Sequence, residues 1–194
     1  LLRFCRGYIR EKKPAAAAIE AFRAMLAYRE EAGLDSIREQ LVGLGNPYPY
    51  SLPQFKPLVE DCLGGKGLLK PYGRDNFGNL ITLVIVVDYD LKKVIKAGLQ
   101  DMLIEGNKWL DEHFNILLQE MTDASPDHSL AARHDILSVK NMPLTHFNNA
   151  ALTLVKRVSA GMKHYPESAS KSSSSSLFAL LLSVCPQLTS LFLL

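Results

Sequence analysis

The segment LITLVIVV, residues 80–87, is almost entirely apolar and rich in β-branched side chains, and it constrains the fold most strongly. A run of this length and composition predicts a β-strand buried on both faces, as in a sheet with helices on each side. The segment HDILSV, residues 134–139, predicts a second buried strand, and the glycine-rich residues 62–79 predict a short strand and a turn. We therefore expect a sheet at the centre of this chain.

Helical patterns precede these strands. Pro14, which is followed by four alanines, predicts the start of a helix, and Gly33 predicts its end. Asp35 is placed to cap a second, short helix through Val42. The apolar residues of the first helix recur at three- and four-residue intervals: Ile19, Phe22, Met25 and Leu26. Residues 1–44 are thus predicted to form an all-helical unit.

Two longer helices are predicted in the second half of the chain. Asp90 can cap a helix that continues to Pro126, and Pro143 can open a helix that continues to Tyr165. Both helices carry apolar side chains at helical spacing: Leu99, Leu103, Leu110, Phe114, Leu117 and Met121 in the first, and Phe147, Ala151, Leu154, Val158 and Met162 in the second. Strands that alternate with helices behind a helical front predict an α/β sandwich with a partly parallel sheet.

Composition and charge narrow the class of protein. Apolar residues make up 47% of the chain and charged residues 22%, which is typical of a globular protein. The net charge of +2 and the lack of a basic block argue against a nucleic-acid partner. The cysteines, Cys5, Cys62 and Cys185, are far apart and have no ligand spacing. We therefore expect no metal and a reducing, cytoplasmic setting.

The sequence contains no motif that predicts catalysis. The segment GGKG, residues 64–67, has a lysine followed by glycine, whereas a P-loop needs Ser or Thr at that position. No Gly-x-Ser-x-Gly elbow occurs, and the pair Glu112 and His113 lacks the second histidine of a zincin. We therefore predict that the protein is not an enzyme and has no cofactor, which favours a binding function.

Residues 1–37 contain three short motifs in order: LLRF with Arg6, then Tyr28-Arg29, then GLD at residues 33–35. They resemble the helical N-terminal lobe of the CRAL-TRIO lipid-binding family. That lobe opens with a Leu-Leu-Arg-Phe-Leu-Arg-Ala run and later has Trp-Arg before a Gly-hydrophobic-Asp turn.

Two later stretches resemble the same family. The segment YGRDNFGNLITLVIV, residues 72–86, is similar to its Gly-x-Asp-x-x-Gly-Arg-Pro-Val turn and strand, with Asn79-Leu80 in place of Arg-Pro. Residues 134–168 resemble a strand with a central aspartate, here Asp135, and a long helix that ends in Tyr-Pro-Glu-Arg. Ser168 stands in place of that arginine.

The resemblance implies a helical lobe at residues 1–44, a linker at 45–65 and a CRAL-TRIO α/β/α sandwich at 66–168. In the family, the Tyr-Pro-Glu motif leads into further strands and a gate helix that close a lipid pocket. A serine-rich linker and an apolar tail, residues 169–194, stand in that place here. We therefore expect a sandwich without its C-terminal strands and gate helix, and a tail that arose by altered splicing, frameshift or gene-model error. The start without methionine indicates a fragment.

The resemblance also implies a hydrophobic lipid ligand and transient contact with a membrane surface, for a cytoplasmic protein that is peripheral to membranes. It implies ligand-binding roles for Tyr165, Glu167 and Asp135, and for Leu154 and Val158 on the last helix. For Tyr165 and Glu167, a structural role at the end of a helix that packs on the sheet is the stronger expectation than ligand contact.

Two other interpretations stay open. The chain could be a protein-interaction module of a multidomain regulator, with a protein partner and no lipid-transfer activity, or a truncated product without function. The incomplete pocket favours the first of these. Ser168 does so too, because it cannot supply the charge of a phosphate-binding arginine.

Overall fold

The structure is a computed structural model that describes residues 12–85, 89–125, 131–138 and 149–164, together with Phe4 and Tyr8. The tail at residues 169–194, to which a separate origin is attributed above, lies outside the described residues. The helices are α1 (Pro14–Ala32), α2 (Leu34–Gly43), α3 (Lys56–Cys62), α4 (Leu91–Lys96), α5 (Gln100–Asp123) and α6 (Asn149–Val158). The strands are β1 (Lys70–Arg74), β2 (Leu80–Ile85) and β3 (Arg133–Ser138), and 3₁₀ turns occupy Pro49–Ser51, Pro53–Phe55 and Ser159–His164.

The first two helices meet at a single glycine. Helix α1 begins at Pro14 and ends at Gly33, as the sequence predicts, and Gly33 has the left-handed φ of 68° that ends a helix. Gly33 also caps α2, which starts at the next residue. Asp35 therefore lies inside the first turn of α2 instead of capping it. The prediction of an Asp35 cap is wrong, because the N-cap residue is Gly33, two residues earlier.

The long helix predicted from Asp90 to Pro126 is two helices. The carboxylate of Asp90 accepts a hydrogen bond from the backbone amide of Lys93 at 3.0 Å, which confirms the predicted cap of α4. Helix α4 then ends after six residues, and Gly98, with φ 70°, separates it from α5. A left-handed residue cannot continue a helix, so the chain changes direction at this glycine.

The segment 45–65, which the resemblance assigns as a linker, packs into the main core instead. Its prolines begin 3₁₀ turns and lie in the first turn of α3, as prolines do at helix starts. Tyr50, Phe55 and Leu58 are each at most 4% exposed. They pack in one cluster with apolar residues of α2 and α5. A smaller second cluster, which includes Ala18 and Met25 of α1, lies in the N-terminal unit.

The sheet is mixed, which confirms an α/β protein at this level of detail. Its strand order is β1-β2-β3. Strands β1 and β2 are antiparallel with an irregularity between Pro71 and Gly73, whereas β2 and β3 are parallel and pair Leu80 with Arg133. Helices α4, α5 and α6 pack on one another. The partly parallel sheet agrees with the prediction.

Candidate functional site

One face of the sheet packs against the helices. It carries Leu80 and Thr82 of β2 beside Arg133 and Asp135 of β3, which are neighbours in the parallel register. Leu80 belongs to the main core and Thr82 is fully buried. The guanidinium of Arg133 lies 4.7 Å from the centre of the Phe114 ring on α5. Helix α5 therefore covers this face.

The opposite face carries apolar side chains that are less buried. Ile81 and Leu83 of β2 are only partly buried, and Ile136 of β3 is 51% exposed. His134 lies on the same face, and its Nε2 is 3.6 Å from the Asp75 carboxylate. The sequence predicts a sheet buried on both faces, and within the described residues the structure does not bear this out. Among the described residues, the helices pack on the Leu80 face, where Arg133 contacts Phe114 of α5.

Asp135 is engaged by residues of its own sheet. Its Oδ1 lies 3.0 Å from Nε of Arg133, and its Oδ2 accepts a hydrogen bond from the same guanidinium at 3.3 Å. The hydroxyl of Thr82 also donates to Asp135. The sequence assigns Asp135 to ligand binding by resemblance. The structure places it in a polar cluster on the helix-covered face, where its oxygens accept from protein groups.

Asp111 of α5 adds a second carboxylate near this cluster. Burial raises the pKa of Asp111 from its ordinary value of 3.8 to about 6. The positive charge of Arg133 opposes this shift, while the carboxylates of Glu112 and Asp135 add to it. The guanidinium of Arg133 thus interacts with the carboxylates of both Asp135 and Asp111, and it offsets the effect of burial on Asp111 only in part. Asp111 therefore ionises only near neutral pH.

A buried ion pair joins the N-terminal unit to α5. The Arg29 guanidinium donates to both oxygens of Glu112, at 2.8 and 3.2 Å, and also to Asp35 at 2.6 and 2.9 Å. The Glu112 side chain is fully buried and accepts a further bond from Asn115 at 3.2 Å. Arg29 and Asp35 belong to the motifs that resemble the family. In this structure they hold α1, α2 and α5 together.

Helix α1 meets the last 3₁₀ turn, Ser159–His164, at Tyr28. Its ring is stacked on the His164 ring with their centres 4.3 Å apart and their planes 8° from parallel. Gly161 lies beside the Tyr28 hydroxyl, where a Cβ at Gly161 would come within 2.5 Å of the oxygen. The first and third stretches that resemble the family are therefore in direct contact.

The turn between β1 and β2 is held by hydrogen bonds within the hairpin. The Asp75 carboxylate accepts hydrogen bonds from the backbone amides of Phe77 and Asn79 at 2.8 Å, and from the Asn79 side chain at 2.9 Å. These bonds lower the pKa of Asp75, the Asn79 side chain contributing most. Gly78 takes the left-handed φ of 81° that closes the turn. Asp75 and Gly78 thus shape the hairpin.

Glu112 and His113, adjacent on α5, each have a partner on another element. Nδ1 of His113 is 2.9 Å from the side-chain oxygen of Asn46, and burial lowers the pKa of His113 to about 4. The histidine is therefore neutral at physiological pH. Glu112 is held by Arg29. Within the described ranges, no three His, Cys, Asp or Glu side chains are grouped so that they could bind a metal ion.

The remaining predicted ligand residues fall in two places. Leu154 is 3% exposed and belongs to the main core with Leu80, and Val158 is half-buried against that core. The carbonyl of Val158 accepts a hydrogen bond from Asn107 at 3.1 Å, which joins α6 to α5. Tyr165 and Glu167 lie outside the described residues. The structure thus brings Leu154 and Asp135 to the helix side of the sheet.

The sequence predicts no functional role for the less buried face formed by Ile81, Leu83 and Ile136. The sequence of β3 gives no signal for it, because the positions of each face include polar and apolar residues: Arg133, Asp135 and Leu137 alternate with His134, Ile136 and Ser138. The continuous apolar run of β2 gives no signal either. Residues 80–85 alone give no indication of the side on which α5 packs.

In the part of the chain that the structure describes, no helix combines the length and the apolar composition needed to cross a membrane. A comparison of the chain with protein-family models, with curated proteins and with solved structures finds no match in any of the three. The resemblance described above therefore depends on the chain's own motifs.

Proposed function

We propose that this protein binds a hydrophobic, lipid-like ligand on the sheet face formed by Ile81, Leu83 and Ile136. The unequal burial of the two sheet faces carries the proposal. Leu80 on the helix side is 6% exposed, whereas Ile136 on the other side is 51% exposed. An acyl chain on the less buried face would remove water from apolar surface, which contributes about 0.8 kcal/mol per methylene.

The placement of the three resembling stretches supports the same proposal. The first contacts the third through Tyr28 and His164. The second contacts the third through β2 and β3, where Thr82 donates to Asp135. The three stretches that resemble the family thus pack as one unit. We extend the proposal to a CRAL-TRIO type of sandwich, and to a cytoplasmic protein that associates with membranes peripherally and transfers its ligand between them.

Co-purification of lipid tests the proposal. We expect the full chain, purified from cells without detergent, to release about one lipid molecule per chain on extraction with organic solvent, as measured by mass spectrometry. Ile136→Lys places a charge on the proposed face and should lower the lipid content about tenfold or more. Leu44→Lys is the matched control, because Leu44 is 61% exposed on α2 and should keep the lipid.

Thermal unfolding of both variants separates loss of binding from loss of fold. An Ile136→Lys protein that unfolds at the same temperature as the parent but carries no lipid would support the proposal. Absence of stoichiometric lipid from the parent chain, or equal lipid content in the two variants, would refute it. A protein partner that co-purifies in place of lipid and is lost in Ile136→Lys would assign the face to protein interaction.

A further inference from the structure

The hairpin segment made of β1 and the turn that follows it, residues 70–79, is largely exposed. All five residues of β1 are exposed. At its centre Tyr72 is 74% exposed, and in the turn Phe77 is 89% exposed. These are the highest exposures among the large hydrophobic side chains that the structure describes. Two solvent-exposed aromatic side chains on one hairpin indicate an interaction surface, since each has a large apolar area that a partner could bury.

The charges around these rings are mainly positive. Exposed Lys66, Lys70 and Arg74 lie on β1 or just before it, and Asp75 is the one acidic residue from 66 to 79. The Asp75 carboxylate is directed to the turn amides and lies 3.6 Å from His134. The hairpin therefore presents a cationic surface with two aromatic side chains.

The turn is held in place before any partner binds. Besides the bonds to its carboxylate, the Asp75 carbonyl accepts a hydrogen bond from the Gly78 amide at 3.0 Å. The Asp75 amide donates to the Asn79 carbonyl at the same distance, and β1 is paired with β2. Phe77 is thus presented by a preformed turn, so little conformational entropy is lost when the ring is buried.

We propose that this hairpin docks the protein on a membrane surface that contains anionic lipids. Aromatic side chains favour the region between headgroups and acyl chains, where an apolar ring and polar surroundings are both accommodated. Lysine and arginine nearby are attracted by the negative charge of anionic headgroups. Phe77 in the turn and Tyr72 on this edge strand insert at the level of the headgroups. Lys70 and Arg74, which pair with Leu83 and Leu80 and so lie on opposite faces of β1, contact phosphate or carboxylate groups on the two sides of the hairpin.

The other exposed apolar residues lack this combination. Val42 in α2 and Leu44 just after it are 58% and 61% exposed, but α2 contains two acidic residues and one arginine. An anionic membrane would repel that helix. The docking surface uses residues other than the proposed ligand face at Ile81, Leu83 and Ile136. It rests on the peripheral membrane association in the proposed function and names the surface responsible for it, whereas binding of the lipid ligand can fail or hold separately.

Sedimentation with vesicles tests the docking. The probes are phosphatidylcholine vesicles with and without about 30% phosphatidylserine. We expect binding only to the anionic vesicles, and loss of that binding when salt is raised from about 0.1 to about 0.5 M, since screening shortens the range of the attraction. Phe77→Ser should weaken binding about tenfold, and Arg74→Gln about fivefold.

Matched controls make the result specific. Leu44→Ser removes an equally apolar exposed side chain from α2, and Arg23→Gln removes an exposed charge from α1; both should bind like the parent. Phe77→Trp gives a direct reading of insertion, because the chain has a single other tryptophan, Trp109, which is 6% exposed. Its fluorescence should shift to shorter wavelength with anionic vesicles and be quenched by brominated lipids.

Equal binding to neutral and anionic vesicles, or unchanged binding of both Phe77→Ser and Arg74→Gln, would overturn the proposal. So would a parent chain that ignores vesicles but binds poly-glutamate through Phe77 and Arg74, since the surface would then recognise an acidic protein. Lipid content measured on the same Phe77→Ser protein separates the two proposals. We expect it to keep its bound lipid while losing vesicle binding.

Discussion

Replacement of Asp111 by asparagine should stabilise the protein at neutral pH and have little effect in acid. Asp111 has a folded-state pKa of about 6, compared with an ordinary value of 3.8, chiefly because the carboxyl is buried. The folded chain therefore binds more protons than the unfolded chain between these two values. Unfolding free energy falls as pH rises through this window, since ionised Asp111 is favoured in the unfolded chain. Asparagine keeps an oxygen that can accept from Asn107, as Asp111 does at 3.3 Å.

The size of the effect follows from the two pKa values. A difference of about two pKa units corresponds to about 3 kcal/mol at pH 7, and this falls to about 0.5 kcal/mol near pH 4. Asp111 keeps partial contact with solvent at the surface of α5. Water there relaxes part of the penalty, so we expect Asp111→Asn to be more stable than the parent by about 1–3 kcal/mol at pH 7.

Urea unfolding of the parent and of Asp111→Asn from about pH 4 to 8 measures this difference. His113, with its pKa lowered to about 4 by burial, destabilises both proteins as pH falls through its unfolded-state value of 6.5. That contribution is common to the two chains and cancels when their stabilities are subtracted. Asp61→Asn on α3, where the side chain is exposed, is the control and should change stability little at any pH. A difference for Asp111→Asn that is constant with pH, or that favours the parent at pH 7, would refute the reasoning.

Three further substitutions test the packing. Arg29→Met leaves the buried Glu112 without its bidentate partner and should lower the unfolding free energy by about 3–5 kcal/mol, with a smaller loss in Arg29→Lys, as measured by urea unfolding. Gly106→Ala would place a Cβ 2.8 Å from the Tyr50 ring and should lower the unfolding free energy by about 1–3 kcal/mol. Its control is Gly43→Ala, where the new Cβ meets nothing within 4 Å, and this variant should be neutral or stabilising. A Gly43→Ala protein less stable than Gly106→Ala would contradict the packing at Tyr50. Tyr50→Phe removes a buried hydroxyl for which the described residues provide no hydrogen-bond partner, and it should leave the melting temperature unchanged or higher, so a large decrease would reveal a missing contact.

Much of the local structure is determined by the sequence alone. Pro14, Gly33 and Asp90 mark helix ends that the structure confirms, because capping and left-handed turns depend on residues only a few positions apart. The two apolar runs are strands, and their parallel pairing follows from the long helical segment between them. Two local predictions fail because a nearby glycine acts instead. Gly98, with its left-handed φ, divides the long helix predicted from Asp90, and Gly33 takes the N-cap position of α2 that was predicted for Asp35.

Only the tertiary structure decides the chemistry of the two sheet faces. Residues 80–85 have apolar side chains on both sides with Thr82 as the one polar residue, and the side on which α5 packs depends on contacts between segments far apart in the chain. Arg29 meets Glu112 across 83 positions, and Thr82 meets Asp135 across 53. Neither pair has a sequence signature, because these side chains become neighbours only when helices and sheet pack. The raised pKa of Asp111 has the same origin, since burial among distant residues, and not its place in α5, removes the water that would keep its carboxylate charged.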